Sequence, residues 1–183
     1  AAKTSYMSGG KWRVPMVIRT TMGATRRSAA QHSQSLHAWP SHIPGLKVVM
    51  PATPADAKGL LKSAIRDDDP IVFMEGEMLY NTKGEVPEGE HLVPIGQAEV
   101  KRLEEHVTLI CYSKTVSLCL KAAEQLAALG VSAEVVDLRT IRPLDLDAIF
   151  SSVGKTHRAV VAEEGWHFAG AGAQVVDEIQ KSI

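Results

Sequence analysis

The chain has 183 residues, 45% of them hydrophobic and 22% charged, and 20 basic against 21 acidic side chains leave a net charge of −1. That length permits one large or two small domains, and the balanced charge argues against nucleic acid or an anionic membrane as the main partner. No apolar run approaches the ~20 residues a spanning helix needs.

In chain order, residues 1–7 read as the last turns of a helix stopped by Gly9-Gly10. The chain starts without Met or a signal peptide, and its other end, AQVVDEIQKSI, stops inside a helical pattern, so truncation at both ends is expected. VPMVIRT at 14–20 and LKVVMP at 46–51 are short apolar, β-branched runs that predict buried strands. Thr53-Pro54 supplies an N-cap and a first-turn proline. The helix that follows puts Ala57, Leu60, Leu61, Ala64 and Ile65 on one face. Asp67-Asp68-Asp69-Pro70 ends it, and PIVFME predicts a third strand. Strand, helix and strand with short links form a βαβ unit, hence a parallel sheet.

From residue 76 the composition turns to Gly, Pro and Glu with little periodicity, which reads as a linker. A second series follows: a strand at 107–113, a helix at 115–130 closed by Gly130, a strand at 132–139, a helix capped by Asp145, a strand at 158–164, and a helix after a Gly-rich turn. The expected organisation is an α/β chain of two domains, 1–80 and 98–183, joined by a linker at 81–97. Cys111 and Cys119 fall in segments that read as buried, and their spacing matches no zinc pattern. No disulfide is expected, which reads as a reducing compartment.

Three of the seven histidines, His32, His37 and His42, lie in one polar stretch that feeds a strand. His32, between Gln31 and Ser33-Gln34, is the leading catalytic candidate, because an imidazole can give or take a proton near neutrality; a surface or capping histidine is the alternative. His37 and His42 lack such polar neighbours and read as structural, and a three-histidine metal site has no diagnostic spacing here. The acidic helix end at Asp67-Asp68-Asp69 sits where helix carbonyls lack partners, a setting that suits a hard cation or simply a solvated terminus. Gly170-Ala171-Gly172-Ala173 partly matches a phosphate-cradling turn, but Val175 stands where the third glycine belongs, so tight packing is the better reading. Arg26-Arg27 could hold an anion or be solvated. Glu163-Glu164-Gly165-Trp166 closes a strand, where sites and interfaces gather, and Trp166 suits an interface.

The strings AAKTSYMSGG, AAQHSQS, PGLKVVMP, DAKGLLKSAIRD, VPIG, LRTIRPLD and VVAEEGW, spread in order over nearly the whole chain, resemble the β subunits of thiamine-diphosphate-dependent 2-oxoacid dehydrogenases, above all of the decarboxylating component of pyruvate dehydrogenase. Ala29-Ala30 before QHSQ leans toward pyruvate. A branched-chain 2-oxoacid or acetoin dehydrogenase β subunit is the runner-up, and a non-catalytic assembly fragment the alternative of another class. The resemblance implies a parallel-sheet pyrimidine-binding half-domain followed by a transketolase C-terminal-like α/β domain. It implies oxidative decarboxylation of pyruvate with acetyl transfer to lipoyl groups, in a heterotetramer of two α and two β subunits. Thiamine diphosphate and Mg2+ are shared with the α subunit, and the C-terminal domain helps to dock a lipoyl-bearing acyltransferase core.

The family's active-site histidine matches His32. Its essential glutamate and other cofactor contacts are expected upstream of Ala1 and on the α subunit, so this chain alone is expected to be inactive. The family's potassium site maps onto Met16, Ala64, Ile65, Asp67 and Asp69. Such subunits are cytoplasmic in bacteria and lie in the mitochondrial matrix in eukaryotes. This sequence departs from the family in the run Arg19 to Arg27 after the first strand, at His167 where proline usually follows the tryptophan, and at Asp69 where asparagine is common.

Overall fold

The computed structural model describes residues 1–24 and 28–182. Two four-stranded sheets carry the fold. The first contains β1 (Val17–Met22), β2 (Lys47–Val49), β3 (Ile71–Gly76) and β7 (Thr140–Arg142), in the order β1-β3-β2-β7. The second contains β4 (Glu99–Arg102), β5 (Val107–Cys111), β6 (Ala133–Asp137) and β8 (Ala159–Ala162), in the order β4-β6-β5-β8. β1, β3 and β2 run parallel, as do β6, β5 and β8; β7 and β4 are antiparallel additions.

The predicted βαβ unit forms through α4 (Pro54–Ile65). Thr53 Oγ1 accepts the Asp56 N–H at 3.1 Å, which satisfies one of the four amides a helix start leaves unpaired. Leu60 and Ala64 then pack against Val49, Ile71 and Phe73 of the sheet. In the second unit α5 (Thr115–Ala128) ends before Gly130, whose φ of +79° is a left-handed conformation that glycine adopts without strain. Asp145 caps α6 (Leu146–Thr156) by accepting the Ala148 N–H at 3.0 Å. No helix among the described residues is long and apolar enough to cross a membrane.

Three strand boundaries differ from the sequence expectation, each for a local reason. β1 begins at Val17 and not at 14, because Pro15 has no N–H to give the ladder; pairing starts where the Met16 carbonyl accepts the Ile71 N–H at 2.8 Å. β5 stops at Cys111, because Thr115 Oγ1 captures the Tyr112 N–H at 3.2 Å and Ser113 turns at φ +52°. The run 132–139 breaks after Asp137, since Arg139 sits at φ +58° and redirects the chain. The residues beyond it form β7, which crosses to the first sheet and pairs with β2.

The two units therefore share one core. Met22, Val48, Met50 and Met74 from the first pack with Tyr112, Val136, Leu138 and Ile149 from the second. Each such side chain contributes ~1.5–3 kcal/mol on full burial. The segment between the units is also packed: Val93 is buried, its carbonyl accepts the Ser63 hydroxyl at 2.7 Å, and a Cβ on Gly59 would lie 2.5 Å from its methyl.

Candidate functional site

Parallel strands in an open sheet deliver their carboxyl ends to one side, where ligands bind. Here the carboxyl ends of β1, β5 and β8 meet. Tyr112 follows β5, Glu163-Glu164 follows β8, and Gly23-Ala24 follows β1. α3 (Ala38–Ser41) brings in His37, its N-cap residue, which is 0% exposed.

These groups form a directed chain. The Tyr112 hydroxyl donates to Glu163 Oε2 at 2.6 Å. The phenol oxygen then accepts from His37 Nε2 at 2.8 Å, with the rings in edge contact at 5.3 Å between centroids. Glu163 Oε2 lies farther from His37 Nε2, at 3.6 Å, so the imidazole bonds the phenol and only faces the carboxylate electrostatically. The Gly172 N–H, in the first turn of α7 (Ala171–Ser182), also donates to Glu163 Oε2 at 3.1 Å. Burial opposes the Glu163 charge, but the facing His37 ring and the donors Tyr112 and Gly172 outweigh it and hold the carboxyl below its usual range. Burial first, and the facing Glu163 second, push the Tyr112 phenol up. The neighbouring Glu164 accepts the Ala24 N–H at 2.9 Å and pairs with Lys114.

Among the described residues seven buried side-chain polar atoms lack a hydrogen-bond partner, and four lie in this region: Ser33 Oγ, His37 Nδ1, Ser113 Oγ and Glu164 Oε2. Unsatisfied buried groups are costly and mark places where a ligand or water completes the bonding. Their chemistry suits a neutral or proton-exchanging polar group. It does not suit a diphosphate, which would meet two carboxylates with Lys114 already paired.

Each predicted site residue among the described residues has a definite place. His32 ends α2 (Ala29–His32), a single exposed turn, and bonds no other described side chain. Its polar neighbours do not orient its ring: Gln34 Nε2 donates to the Ala30 carbonyl at 2.8 Å, and the Ser33 hydroxyl is unpartnered. His42 caps the end of α3. No group of three His, Cys, Asp or Glu side chains among the described residues could hold a metal ion. The glycines of the Gly-rich turn fit tightly around a carboxylate, since Cβ atoms on Gly170 and Gly172 would lie 2.4 and 2.9 Å from Glu163 Oε1. Trp166 and Phe168 are each 82% exposed. Both cysteines are free thiols. Arg26-Arg27 lies outside the described residues.

At the acidic helix end, Lys47 Nζ donates to Asp67 at 2.6 Å and lies 3.2 Å from Asp69. Burial opposes the Lys47 charge, and the bonds to Asp67 and Asp69 prevail, holding its pKa above the usual lysine range. The Met16 carbonyl is engaged in the sheet, and the Ala64 carbonyl accepts the Asp67 N–H at 3.3 Å. Of the potassium set, the Asp67 and Asp69 carboxylates thus already hold an ammonium between them, and the Met16 and Ala64 carbonyls already accept amides.

A second buried network joins the units. Asp56 of α4 forms an ion pair with Arg139 at 2.6 Å and accepts from Lys101 at 3.1 Å and the Thr53 hydroxyl at 2.6 Å. Asp137 is 0% exposed beside it; its Oδ2 has no hydrogen bond and lies 3.9 Å from Lys101 Nζ.

Sequence reasoning missed His37 and Tyr112. The available signal was the apolar company of His37, since Leu36, Ala38 and Trp39 point to a packed position where an imidazole must find a partner.

Residues 1–83 match the transketolase pyrimidine-binding domain and residues 96–183 the transketolase C-terminal domain. The chain is similar to a mitochondrial pyruvate dehydrogenase E1 component subunit beta of Caenorhabditis elegans, 51% identical over 186 residues, covering 100% of this chain and 53% of that protein. It is 50% identical over 181 residues to the corresponding subunit of Rickettsia felis, covering 99% of this chain and 56% of the relative. The chain thus spans about half the length of the curated relatives it matches. A split-gene transketolase, an inactive beta4 tetramer, superposes with a TM-score of 0.80 over 93% of this chain and 55% of its own; at 24% identity it shows the fold alone.

Proposed function

Because the chain belongs to the transketolase-like family whose pyrimidine-binding and C-terminal domains it carries, we propose that it is part of the β subunit of a thiamine-diphosphate-dependent pyruvate dehydrogenase. Identity of about 50% along the whole chain to relatives named for that subunit carries the reading. The reaction is oxidative decarboxylation of pyruvate with acetyl transfer to a lipoyl group on an acyltransferase partner. An α subunit shares the site in a heterotetramer, in the cytoplasm of a bacterium or the mitochondrial matrix of a eukaryote.

The strand-end cluster does not fit a diphosphate or Mg2+, so those are assigned to the α subunit. Thiamine diphosphate, when bound, supplies the carbanion chemistry that a protein side chain lacks. This chain contributes His32, whose exposed imidazole on a short turn can face a reacting group held by a partner and pass a proton during acetyl transfer. Trp166 and Phe168 offer an aromatic surface for a neighbouring protein.

The test uses the whole subunit assembled with its α subunit. Pyruvate-dependent reductive acetylation of a lipoyl domain is expected. His32→Ala should lower that rate by ~10²–10⁴-fold with thiamine affinity unchanged. Preference for acetoin or a branched-chain 2-oxoacid, or an unchanged rate in the variant, would overturn the corresponding part of the reading.

A further inference from the structure

We infer that Glu163 and Glu164 act as a two-pronged clamp that positions the His32 turn, with His37 and Tyr112 as positioning residues that link the turn to the clamp. This rests on the reading of His32 given above. The His32 turn, from Ser28 to Gln34, buries no side chain fully and its short helix has no side-chain cap. A four-residue helix is far too short to hold itself. Its placement must come from what flanks it.

At the last residue of the turn, the Gln34 carbonyl accepts the Gly23 N–H at 3.1 Å, which ties the turn to the end of β1. That end is in turn fixed by Glu164 Oε1, which accepts the next amide, Ala24 N–H, at 2.9 Å and is neutralised by Lys114. Gly23 is confined as well: at φ +101°, a Cβ there would come 2.9 Å from Glu164 Oε2. Beyond the turn, five residues past His32, His37 is wholly buried and bonds across 75 residues of sequence to Tyr112, which donates to Glu163. Adjacent carboxylates at the end of one strand thus hold Ala24, before the turn, and, through Tyr112, His37, after it.

Three glycines make room for the clamp. A Cβ on Gly165 would lie 3.1 Å from His37 Cε1, and those on Gly170 and Gly172 would meet the Glu163 carboxylate. The glycine turn that resembled a phosphate cradle is therefore shaped to a carboxylate of its own chain. Because β8 belongs to the second sheet and β1 to the first, the clamp sets the turn relative to both units at once. A misplacement of about 1 Å can cost ~10²-fold in rate, so such a device has kinetic weight without touching substrate.

The test takes Tyr112→Phe and Glu164→Gln in the whole subunit with its α subunit. Amide hydrogen exchange across residues 28–36 should rise at least several-fold in each variant, while exchange in β6 stays as in wild type. The rate constant for acetyl transfer should fall roughly 10–100-fold with KM for pyruvate little changed. In a His32→Ala background the same substitutions should lower the rate no further, because the clamp works through His32. Unchanged exchange across 28–36 overturns the clamp, and so does a full additive loss in the His32→Ala background. If His32→Ala itself leaves acetyl transfer intact, the role of His32 fails, and the exchange result still judges the clamp. Should Tyr112→Phe fail to fold, Glu164→Gln carries the test, since that carboxylate lies outside the shared core.

Discussion

Replacing Asp137 by Asn should change how stability depends on pH, not merely how large it is. Asp137 lies between the two units, with Oδ1 accepting the Arg139 N–H at 3.0 Å and Oδ2 buried without a partner. Burial dominates, ahead of the opposing pull of Lys101, and pushes its pKa from 3.8 up to about 7. The groups facing it are Lys101 and Arg139, which favour its charge, and Asp56, which opposes it. The folded state thus binds a proton that the unfolded chain has already released, so stability is greatest below the unfolded value and is lost as pH rises toward about 7. A shift of roughly three units at ~1.36 kcal/mol per unit gives ~4 kcal/mol in all, of which ~3 kcal/mol falls between about pH 4.5 and 7.5. Asn cannot ionise and keeps the acceptor for the Arg139 amide. The difference in unfolding free energy, wild type minus Asp137→Asn, should fall by ~3 kcal/mol over that window in urea titrations. Parallel curves for the two proteins would refute the reasoning.

Lys47→Met removes the ammonium between Asp67 and Asp69, so potassium should then stabilise the chain relative to tetramethylammonium at equal ionic strength, by ~2.7 kcal/mol at a hundredfold excess over its dissociation constant. Equal melting temperatures in the two salts would remove the potassium reading of Met16, Ala64, Ile65, Asp67 and Asp69. Glu134→Ala should cost ~3 kcal/mol in urea, because buried Glu134 accepts from Ser152, Lys155 and the Glu104 amide. Burial works against the Glu134 charge, yet those donors hold its pKa below the usual range, so the wild-type advantage should shrink as pH falls through the carboxylate range.

What the sequence disclosed is what short-range physics determines. Thr53 and Asp145 announce helix starts because a cap needs only an oxygen three residues before an amide. The parallel βαβ unit follows from apolar runs and short links. β7 was hidden, because its three residues look like the tail of β6 until Arg139 turns at φ +58° and the strand finds β2 in the other sheet. The family resemblance reached His32 by its motif, yet motif and periodicity alike were silent on what holds that turn.

His37 shows why. A lone imidazole among Leu36, Ala38 and Trp39 carries no local sign of its partner, and the usual expectation for such a residue is plain packing. Burying it without a hydrogen bond would cost several kcal/mol, so a fully buried His37 must imply a polar partner somewhere. Sequence can state that requirement but cannot name the partner, because Tyr112 and Glu163 arrive from two strands of the other sheet. The same logic applies to the unpartnered Nδ1 of His37 and the hydroxyls of Ser33 and Ser113. Among the described residues, four of the seven buried polar atoms without partners gather around this junction. They are the physical reason to look for chemistry at this junction and not at the acidic helix end, where Lys47 already balances the charge.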